Sequence, residues 1–121
     1  GVQTCALPIS VWVAVMKTLY VCGPMTGLPE FNYPAFNLTA RMLREAGYAV
    51  ENPAENPDPP GRTHSEYMRM AIAQLVKCDG VAYLDGWEGS RGAHIEIHLA
   101  QALEIPIKQW SRWLWPIATT D

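Results

Sequence analysis

The chain has 121 residues, of which 49% are hydrophobic and 17% are charged, and its formal net charge is −3. This composition is typical of one globular domain and excludes an intrinsically disordered chain. A mildly acidic chain without a basic run offers no electrostatic basis for binding a nucleic acid polymer or a membrane surface, so we expect neither as a partner.

The first residues, GVQTCALPIS, resemble translated sequencing-adaptor sequence. This resemblance predicts a non-native extension over residues 1–15, a natural start at Met16 and a single domain over residues 16–121. The alternative is a genuine N-terminal strand, because the following VWVAV has high β propensity.

The segment 17–22 is a short apolar run that predicts a strand, and the sequence GPMTG after it predicts a loop. Pro34 marks the start of a helix that Gly47 ends. A second strand is predicted at 48–51, and the loop that follows it, 52–62, contains four prolines.

Thr63 and Glu66 form a T-x-x-E capping box, which predicts a second helix that runs to about Lys77. The remaining predicted elements are a strand at 80–84, the loop DGWEG, a third helix over 91–104 that Ser90 can cap, and a fourth strand at 105–110. The aromatic tail after this strand has no clear period.

Strands and helices alternate, which predicts a parallel sheet of four to five strands with flanking helices. The expected fold is therefore a small doubly wound α/β domain of the flavodoxin or Rossmann type. In such a sheet, a ligand binds beyond the carboxyl ends of the strands. The candidate site combines the loops 23–33 and 52–62 with the segment 85–96.

Glu96 is the residue of the third helix that most needs an explanation. At about 100° per residue it falls within an apolar stripe of that helix. The other members of the stripe are Gly92, Leu99, Ala100 and Leu103. A carboxylate there is costly unless it is satisfied or used. Glu96 can accept a hydrogen bond from Tyr20 or a loop group, or it can attack a sugar carbon whose phosphate is bound nearby.

Two other features can bind an anion. The glycines of YVCGPMTG allow backbone N–H groups to turn toward a phosphate, although a plain turn explains them equally well. Ser90 followed by Gly92 begins a helix whose first N–H groups are free, which is either an anion site or a simple cap.

The motifs YVCGPMTG and GWEGSRGAHIEIHLAQALEIPI resemble those of the nucleoside 2-deoxyribosyltransferase-like superfamily, which includes the 2′-deoxynucleoside 5′-phosphate N-hydrolases. The resemblance covers about residues 16–110 and is strongest to a branch found in phages and bacteria. It implies a flavodoxin-like fold that cleaves the N-glycosidic bond of a nucleoside or nucleotide, by hydrolysis or by transfer to a second base.

Within this resemblance, Glu96 falls on the nucleophile that attacks C1′, and Tyr20 falls on the aromatic residue that positions it. Ser90 falls on the serine that binds the 5′-phosphate, and Gly23 to Gly27 fall on the loop around the sugar-phosphate. The candidate substrate-binding residues are Gly23, Pro24, Met25, Thr26, Gly27, Asn32, Asp85, Trp87, Glu88, Ser90 and Gly92. Trp87 can stack on a base or only cover the sheet edge.

One position departs from the superfamily. Its cleaving members carry an aspartate, as proton donor to the leaving base, where this chain has Ala71. General acid catalysis is worth about 10²–10⁴ in rate, so a substitute is needed. Asp85 and Glu88 are the candidates, whereas Asp79 is expected to be structural. The alternative function is a protein that binds and sequesters a nucleotide or nucleotide signal without cleaving it.

The remaining expectations concern metals, compartment and assembly. We expect no metal and no cofactor, because neither the cysteines nor the pair His94 and His98 have a complete set of ligands. Buried, reduced Cys22 and Cys78 favour the cytoplasm. The tail residues Trp110, Trp113, Leu114 and Trp115, or the faces near Tyr67 and His98, predict a homodimer or higher homo-oligomer.

Overall fold

The computed structural model describes residues 17–114, which form a four-stranded, all-parallel sheet with helices on both faces. The strands are β1 (Thr18–Cys22), β2 (Ala49–Glu51), β3 (Gly80–Tyr83) and β4 (Ile107–Gln109). The helices are α1 (Tyr33–Glu45), α2 (His64–Leu75) and α3 (Arg91–Ala102). The predicted small α/β fold is confirmed, with four strands in this part of the chain; the predicted extension over residues 1–15 lies outside it.

The strand order in the sheet is β2-β1-β3-β4. After β2 the chain crosses β1 to reach β3, so the connections leave β1 and β3 in opposite directions along the sheet. Cys22 and Tyr83, at the ends of β1 and β3, are paired in register. The crevice between these two carboxyl ends is the switch point, where doubly wound sheets bind their ligands.

The alternation of side chains along β1 divides the core into two parts. Leu19 and Val21 face α1, whereas Tyr20 and Cys22 face α2 and α3. All four side chains are buried, as expected for a strand in the middle of a parallel sheet.

Two helix starts are capped as predicted. The Thr63 hydroxyl accepts a hydrogen bond from the Glu66 N–H (3.2 Å), and the Glu66 carboxylate accepts one from the Thr63 N–H (3.1 Å), which completes the capping box. At the start of α3, the Ser90 hydroxyl accepts a hydrogen bond from the Ala93 N–H (3.2 Å). These bonds satisfy amide groups that the helices themselves leave free.

The predicted apolar stripe of α3 is wrong at its C-terminal end. Leu103 is exposed because the helix ends at Ala102 and Leu103 forms its C-cap. Leu99 is only half-buried. The buried residues of the helix are Ala93, Glu96, Ile97 and Ala100. Glu96 therefore keeps its place in the buried stripe, although most of the neighbours in that stripe differ from those predicted.

The tail contributes to the core of its own domain. Trp113 is buried, its indole N–H donates to the Val81 carbonyl (2.9 Å), and the Tyr48 hydroxyl donates to the Trp113 carbonyl (2.6 Å). Gly80 leaves room for the indole, since a Cβ at that residue would lie 2.6 Å from the ring. The prediction that Trp113 supplies a surface between subunits is therefore wrong.

Trp110 and Leu114 are half-buried and pack against the same side of the core as Trp113. Trp115 lies outside the described residues.

Within residues 17–114, no helix is both long and apolar enough to cross a membrane.

Candidate active site

A cavity of about 740 Å³ opens at the carboxyl edge of the sheet, between the loop after β1 and the helices α2 and α3. This volume lies within the range of small-molecule sites in proteins. Its buried residues, which we call the floor, are Tyr20, Phe36, Ala71, Ala93 and Glu96. Its exposed residues, which we call the rim, are Thr26, Phe31, Asp58, Arg62, His64 and Tyr67.

Glu96 is the charged residue of the floor, and its side chain is held by β1. The Tyr20 hydroxyl donates a hydrogen bond of 2.6 Å to Oε2 of Glu96. Tyr20 is completely buried at the centre of β1, and Glu96 is 7% exposed. Tyr20 thus holds the Glu96 carboxyl group through Oε2, and Glu96 lines the cavity.

Burial raises the pKa of Glu96 above its usual value, because the surroundings disfavour the charged form. The hydrogen bond from Tyr20 and the nearby Cys22 thiol act in the opposite direction. Burial, and then the charge of Glu96, raise the pKa of Tyr20 well above its usual value. Tyr20 therefore stays a protonated donor, and Glu96 is a carboxyl group with a perturbed pKa in a cavity, which is a common property of functional sites.

The loop after β1 reaches the cavity through a glycine that permits close packing. A Cβ on Gly23 would lie 2.9 Å from the Leu84 side chain, so a larger residue would displace the loop from the end of β3. Gly23, Met25 and Thr26 line the cavity.

The other predicted residues of this loop shape it without lining the cavity. The Asn32 amide donates to the Pro24 carbonyl (3.0 Å) and so joins the two ends of the loop. Gly27 has a φ of +85° in a turn closed by the Leu28 N–H and the Met25 carbonyl (3.2 Å). Pro24, Gly27 and Asn32 therefore act on the site indirectly.

Ser90 and Gly92, at the start of α3, both line the cavity. The first hydrogen bond of this helix joins the His94 N–H to the Ser90 carbonyl (3.0 Å), so the N–H groups of Arg91 and Gly92 precede the helical ladder. The positive end of the helix dipole and these N–H groups favour an anion at this position.

Asp85, Trp87 and Glu88 are not among the residues that line the cavity. Gly86, with a φ of +88°, caps the start of a 3-10 turn at Trp87–Gly89. The Asp85 carboxylate accepts a hydrogen bond from the Gln109 amide (2.8 Å). Neither Asp85 nor Glu88 therefore shares the cavity with Glu96, as a substitute proton donor would have to.

Trp87 packs against other side chains. Its ring centroid lies 5.8 Å from that of Tyr83 and 4.9 Å from that of His94. The His94 Nε2 atom in turn lies 2.7 Å from the Glu88 carbonyl oxygen. These contacts match the interpretation in which Trp87 covers the sheet edge. Within residues 17–114, no three His, Cys, Asp or Glu side chains are grouped to bind a metal ion.

The sequence predicts that the loop 52–62 lies at the site, but it does not single out the charged residues Asp58 and Arg62 of that loop or their neighbour Tyr67 on α2. The Tyr67 hydroxyl donates to the Asp58 carboxylate (3.0 Å), and the Arg62 guanidinium lies 3.5 Å from the same carboxylate. The spacing of His64, Met68 and Ala71 is a sequence signal that predicts the side of the cavity formed by α2. Side chains at i, i+4 and i+7 of a helix share one face, and all three line the cavity.

A pair of amide side chains attaches the proline-rich loop to α2. The Asn56 side-chain amide donates to Oε1 of Gln74 (2.7 Å), and the Gln74 side-chain amide donates to Oδ1 of Asn56 (2.9 Å). Gln74 also donates to the Glu51 carboxylate (3.0 Å), at the end of β2. Because Asn56 lines the cavity, this network fixes one wall of the site.

The loop after β1 ends in a run of left-handed backbone that includes the rim residue Phe31. Glu30, Phe31 and Asn32 have φ values of 53°, 54° and 61°. Such a conformation costs about 1–2 kcal/mol for each non-glycine residue and is concentrated at functional sites. It presents the Phe31 ring, 59% exposed, at the mouth of the cavity, with its centroid 5.9 Å from that of Tyr33.

The chain is thus a small α/β protein with a cavity, lined by a buried carboxyl group, at the switch point where doubly wound sheets bind their ligands. The family model described as "Domain of unknown function (DUF4406)" matches residues 17–109, and the chain belongs to this family. No curated protein matches the sequence.

Proposed function

We propose that this protein cleaves the N-glycosidic bond of a nucleoside or nucleoside 5′-monophosphate, with Glu96 as the nucleophile. The observation that carries the proposal is the carboxylate of Glu96, buried on the floor of a cavity and held through Oε2 by the Tyr20 hydroxyl at 2.6 Å. A carboxylate fixed through one oxygen presents the other to an electrophilic carbon. The resemblance to nucleoside 2-deoxyribosyltransferase-like proteins supports the same role.

The proposed reaction proceeds in two displacements. The free oxygen of Glu96 forms a bond to C1′ while the C1′–N bond breaks. The electron pair of the C1′–N bond leaves with the base. Water or a second base then attacks C1′, which breaks the bond to Glu96 and restores the carboxylate, and the proton that the attacking molecule loses balances the one that the departed base takes up. Tyr20 orients the carboxylate throughout, since its hydroxyl stays protonated.

The neighbouring backbone suits the rest of a nucleotide. Ser90 and Gly92, at the start of α3, line the cavity where a 5′-phosphate would benefit from free N–H groups and the helix dipole. Gly23, Met25 and Thr26 line the adjacent wall, where a sugar would lie next to the loop.

Chromatographic detection of free base tests this proposal. Purified protein is incubated with a panel of nucleosides and their 5′-monophosphates, alongside Glu96→Gln, which preserves the size of the side chain and an acceptor for the Tyr20 hydroxyl. We expect base release by the native protein and its loss in the variant. Equal release by both proteins would exclude Glu96 as the nucleophile.

A second candidate function is binding without cleavage, in which the protein sequesters a nucleotide or nucleotide signal. The observation in its favour is Ala71, which lines the cavity where the superfamily has its acid. A rise in melting temperature with a nucleotide, without release of base from any member of the panel, would favour this function.

We also propose that the protein works in the cytoplasm as a homo-oligomer. Cys22 and Cys78 are buried free thiols, which fits a reducing compartment. Tyr67 and His98 are exposed on α2 and α3, where a second copy can contact them. Light scattering at micromolar concentration measures the assembly, and a monomer mass would refute it.

A further inference from the structure

Among residues 17–114, the floor of the cavity contains no side chain that is free to donate a proton to a leaving group. Beside Glu96 and Tyr20, its members are Phe36, Ala71 and Ala93, which carry no acidic hydrogen. Tyr20 already donates its hydroxyl hydrogen to Glu96. Among the described residues, Glu96 is thus the one carboxyl group on the floor.

The other ionisable side chains that line the cavity are the half-buried Tyr33 and, on the exposed rim, Asp58, Arg62, His64 and Tyr67. His64 precedes Ala71 by seven residues on α2, which corresponds to about 10 Å along a helix axis. The Asp58 carboxylate is engaged by the Tyr67 hydroxyl and by Arg62. Beyond Tyr67 along α2, the residues that line the cavity are Met68, Met70 and Ala71, which are apolar.

This arrangement constrains the leaving group by simple chemistry. A purine or pyrimidine leaves an N-glycosidic bond as an anion unless it receives a proton, and general acid catalysis of that transfer is worth about 10²–10⁴ in rate. A pyridinium base differs because its ring nitrogen is already positive. When its bond to C1′ breaks, the electron pair neutralises that nitrogen, and the base departs uncharged without a proton.

We propose that the substrates of this site are N-ribosides of a pyridinium-type base, of which nicotinamide mononucleotide is the simplest 5′-phosphorylated example. The proposal rests on the glycosidic cleavage proposed above and names its substrate class. The Glu96 oxygen bonds to C1′ as the C1′–N bond breaks and neutral pyridine departs. Water then forms the new C1′–O bond, the Glu96–C1′ bond breaks, and the proton of the water is released to solvent.

The electrostatics of the cavity favour a cationic ring. Burial raises the pKa of Glu96, and a positive ring beside its carboxyl group would stabilise the ionised form that the attack requires. The rings of Phe31 and Tyr33 line the same cavity and can face a cation. The carboxylate and the aromatic rings thus both favour the substrate that needs no acid.

The decisive measurement compares leaving groups on one protein. Nicotinamide mononucleotide, its reduced dihydropyridine form and adenosine 5′-monophosphate are supplied at equal concentration, and the released base is quantified by chromatography. The reduced form has nearly the same shape but lacks the positive charge. We expect nicotinamide to be released at least about 10²-fold faster than either of the other bases.

The possible results separate the two proposals. Release of adenine at a rate equal to or above that of nicotinamide would overturn the pyridinium inference and leave the glycosidase proposal intact. If no base is released from any nucleotide, including the wider panel, the glycosidase proposal fails and the inference fails with it.

Restoring the acid provides an independent test. Ala71→Asp adds a carboxyl group to the floor, and Ala71→Asn adds a side chain of the same size without an acid. We expect Ala71→Asp to lower the ratio of nicotinamide to adenine release by at least about 10-fold relative to Ala71→Asn. This ratio is measured within each sample and does not depend on the folded fraction. An equal ratio in the two variants would contradict the inference.

Discussion

The two faces of the sheet each bury a tyrosine whose hydroxyl donates a hydrogen bond of 2.6 Å, and the two bonds have different consequences. On the face of α1, Tyr48 donates to the Trp113 carbonyl, a main-chain group that has to be satisfied in any fold. On the face of α2 and α3, Tyr20 donates to the Glu96 carboxylate beside the cavity. Because both tyrosines are buried, burial alone does not distinguish a tyrosine at a candidate site from one in the core. The group that accepts the hydrogen bond from the phenol makes this distinction.

The largest effect is expected when the charge of Glu96 is removed, on the face of the sheet that contains the cavity. Glu96→Gln should reduce base release by at least about 10³-fold, because it removes the attacking oxygen anion and leaves the size of the side chain unchanged. Glu45→Gln, at an exposed carboxylate on α1, is the matched control and should retain full activity. A similar loss in the control would mean that a change of charge alone accounts for the effect.

On the opposite face, Trp113→Ala should destabilise the protein by about 3–5 kcal/mol, because it opens a cavity in the core and removes the hydrogen bond from the indole to the Val81 carbonyl. Base release per folded molecule should not change, since Trp113 does not line the cavity. Urea denaturation measures the first quantity. Trp110→Ala, at a half-buried residue, is the control and should cost less.

The paired substitutions Tyr20→Phe and Tyr48→Phe test the comparison directly. Loss of a hydrogen bond to a charged group is worth about 1.5–3 kcal/mol, so Tyr20→Phe should lower base release by about 10–100-fold. The pH at which activity rises should also increase, because the bond from Tyr20 lowers the pKa of Glu96. Tyr48→Phe should cost about 1 kcal/mol of stability and no activity per folded molecule. Identical effects of the two variants on activity would refute the distinction.

The smallest effect is the pH dependence of stability. Since burial raises the pKa of Glu96 in the folded state, its protonated form stabilises the fold at low pH, below the usual pKa of glutamate. This contribution is lost as the pH rises through the raised pKa. The stability of Glu96→Gln relative to the native protein should therefore increase from pH 4 to pH 8. A difference that stays constant over this range would mean that the carboxyl group titrates normally.

Much of the fold follows from local sequence signals. The capping box of Thr63 and Glu66 and the cap at Ser90 predict the starts of α2 and α3 to the residue, because each rests on hydrogen bonds within three residues. Gly80 and Trp113 show the opposite case. Their contact joins residues far apart in the chain, and no local pattern shows that a glycine in β3 leaves room for an indole.

The residues of the site also divide into those that local sequence patterns predict and those that they do not. The period of α3 predicts that Glu96 is buried. The loop of Asp85 and Glu88, neither of which lines the cavity, contains a left-handed conformation at Gly86 that no periodic pattern predicts. The contributions of Asp58 and Arg62 depend on the path of a loop with four prolines, which has no period to analyse. Sequence patterns therefore predict the floor of the site better than its rim.

The position of β1 between β2 and β3 has a consequence for amide hydrogen exchange. A buried strand with partners on both sides exchanges its amides mainly when the whole domain opens, so Tyr20 should be among the slowest residues to take up deuterium. The loop 23–33 is largely exposed and can exchange through local opening. Ligand binding should therefore slow exchange in this loop and at the start of α2, while the strand that holds Glu96 in position is already protected without a ligand.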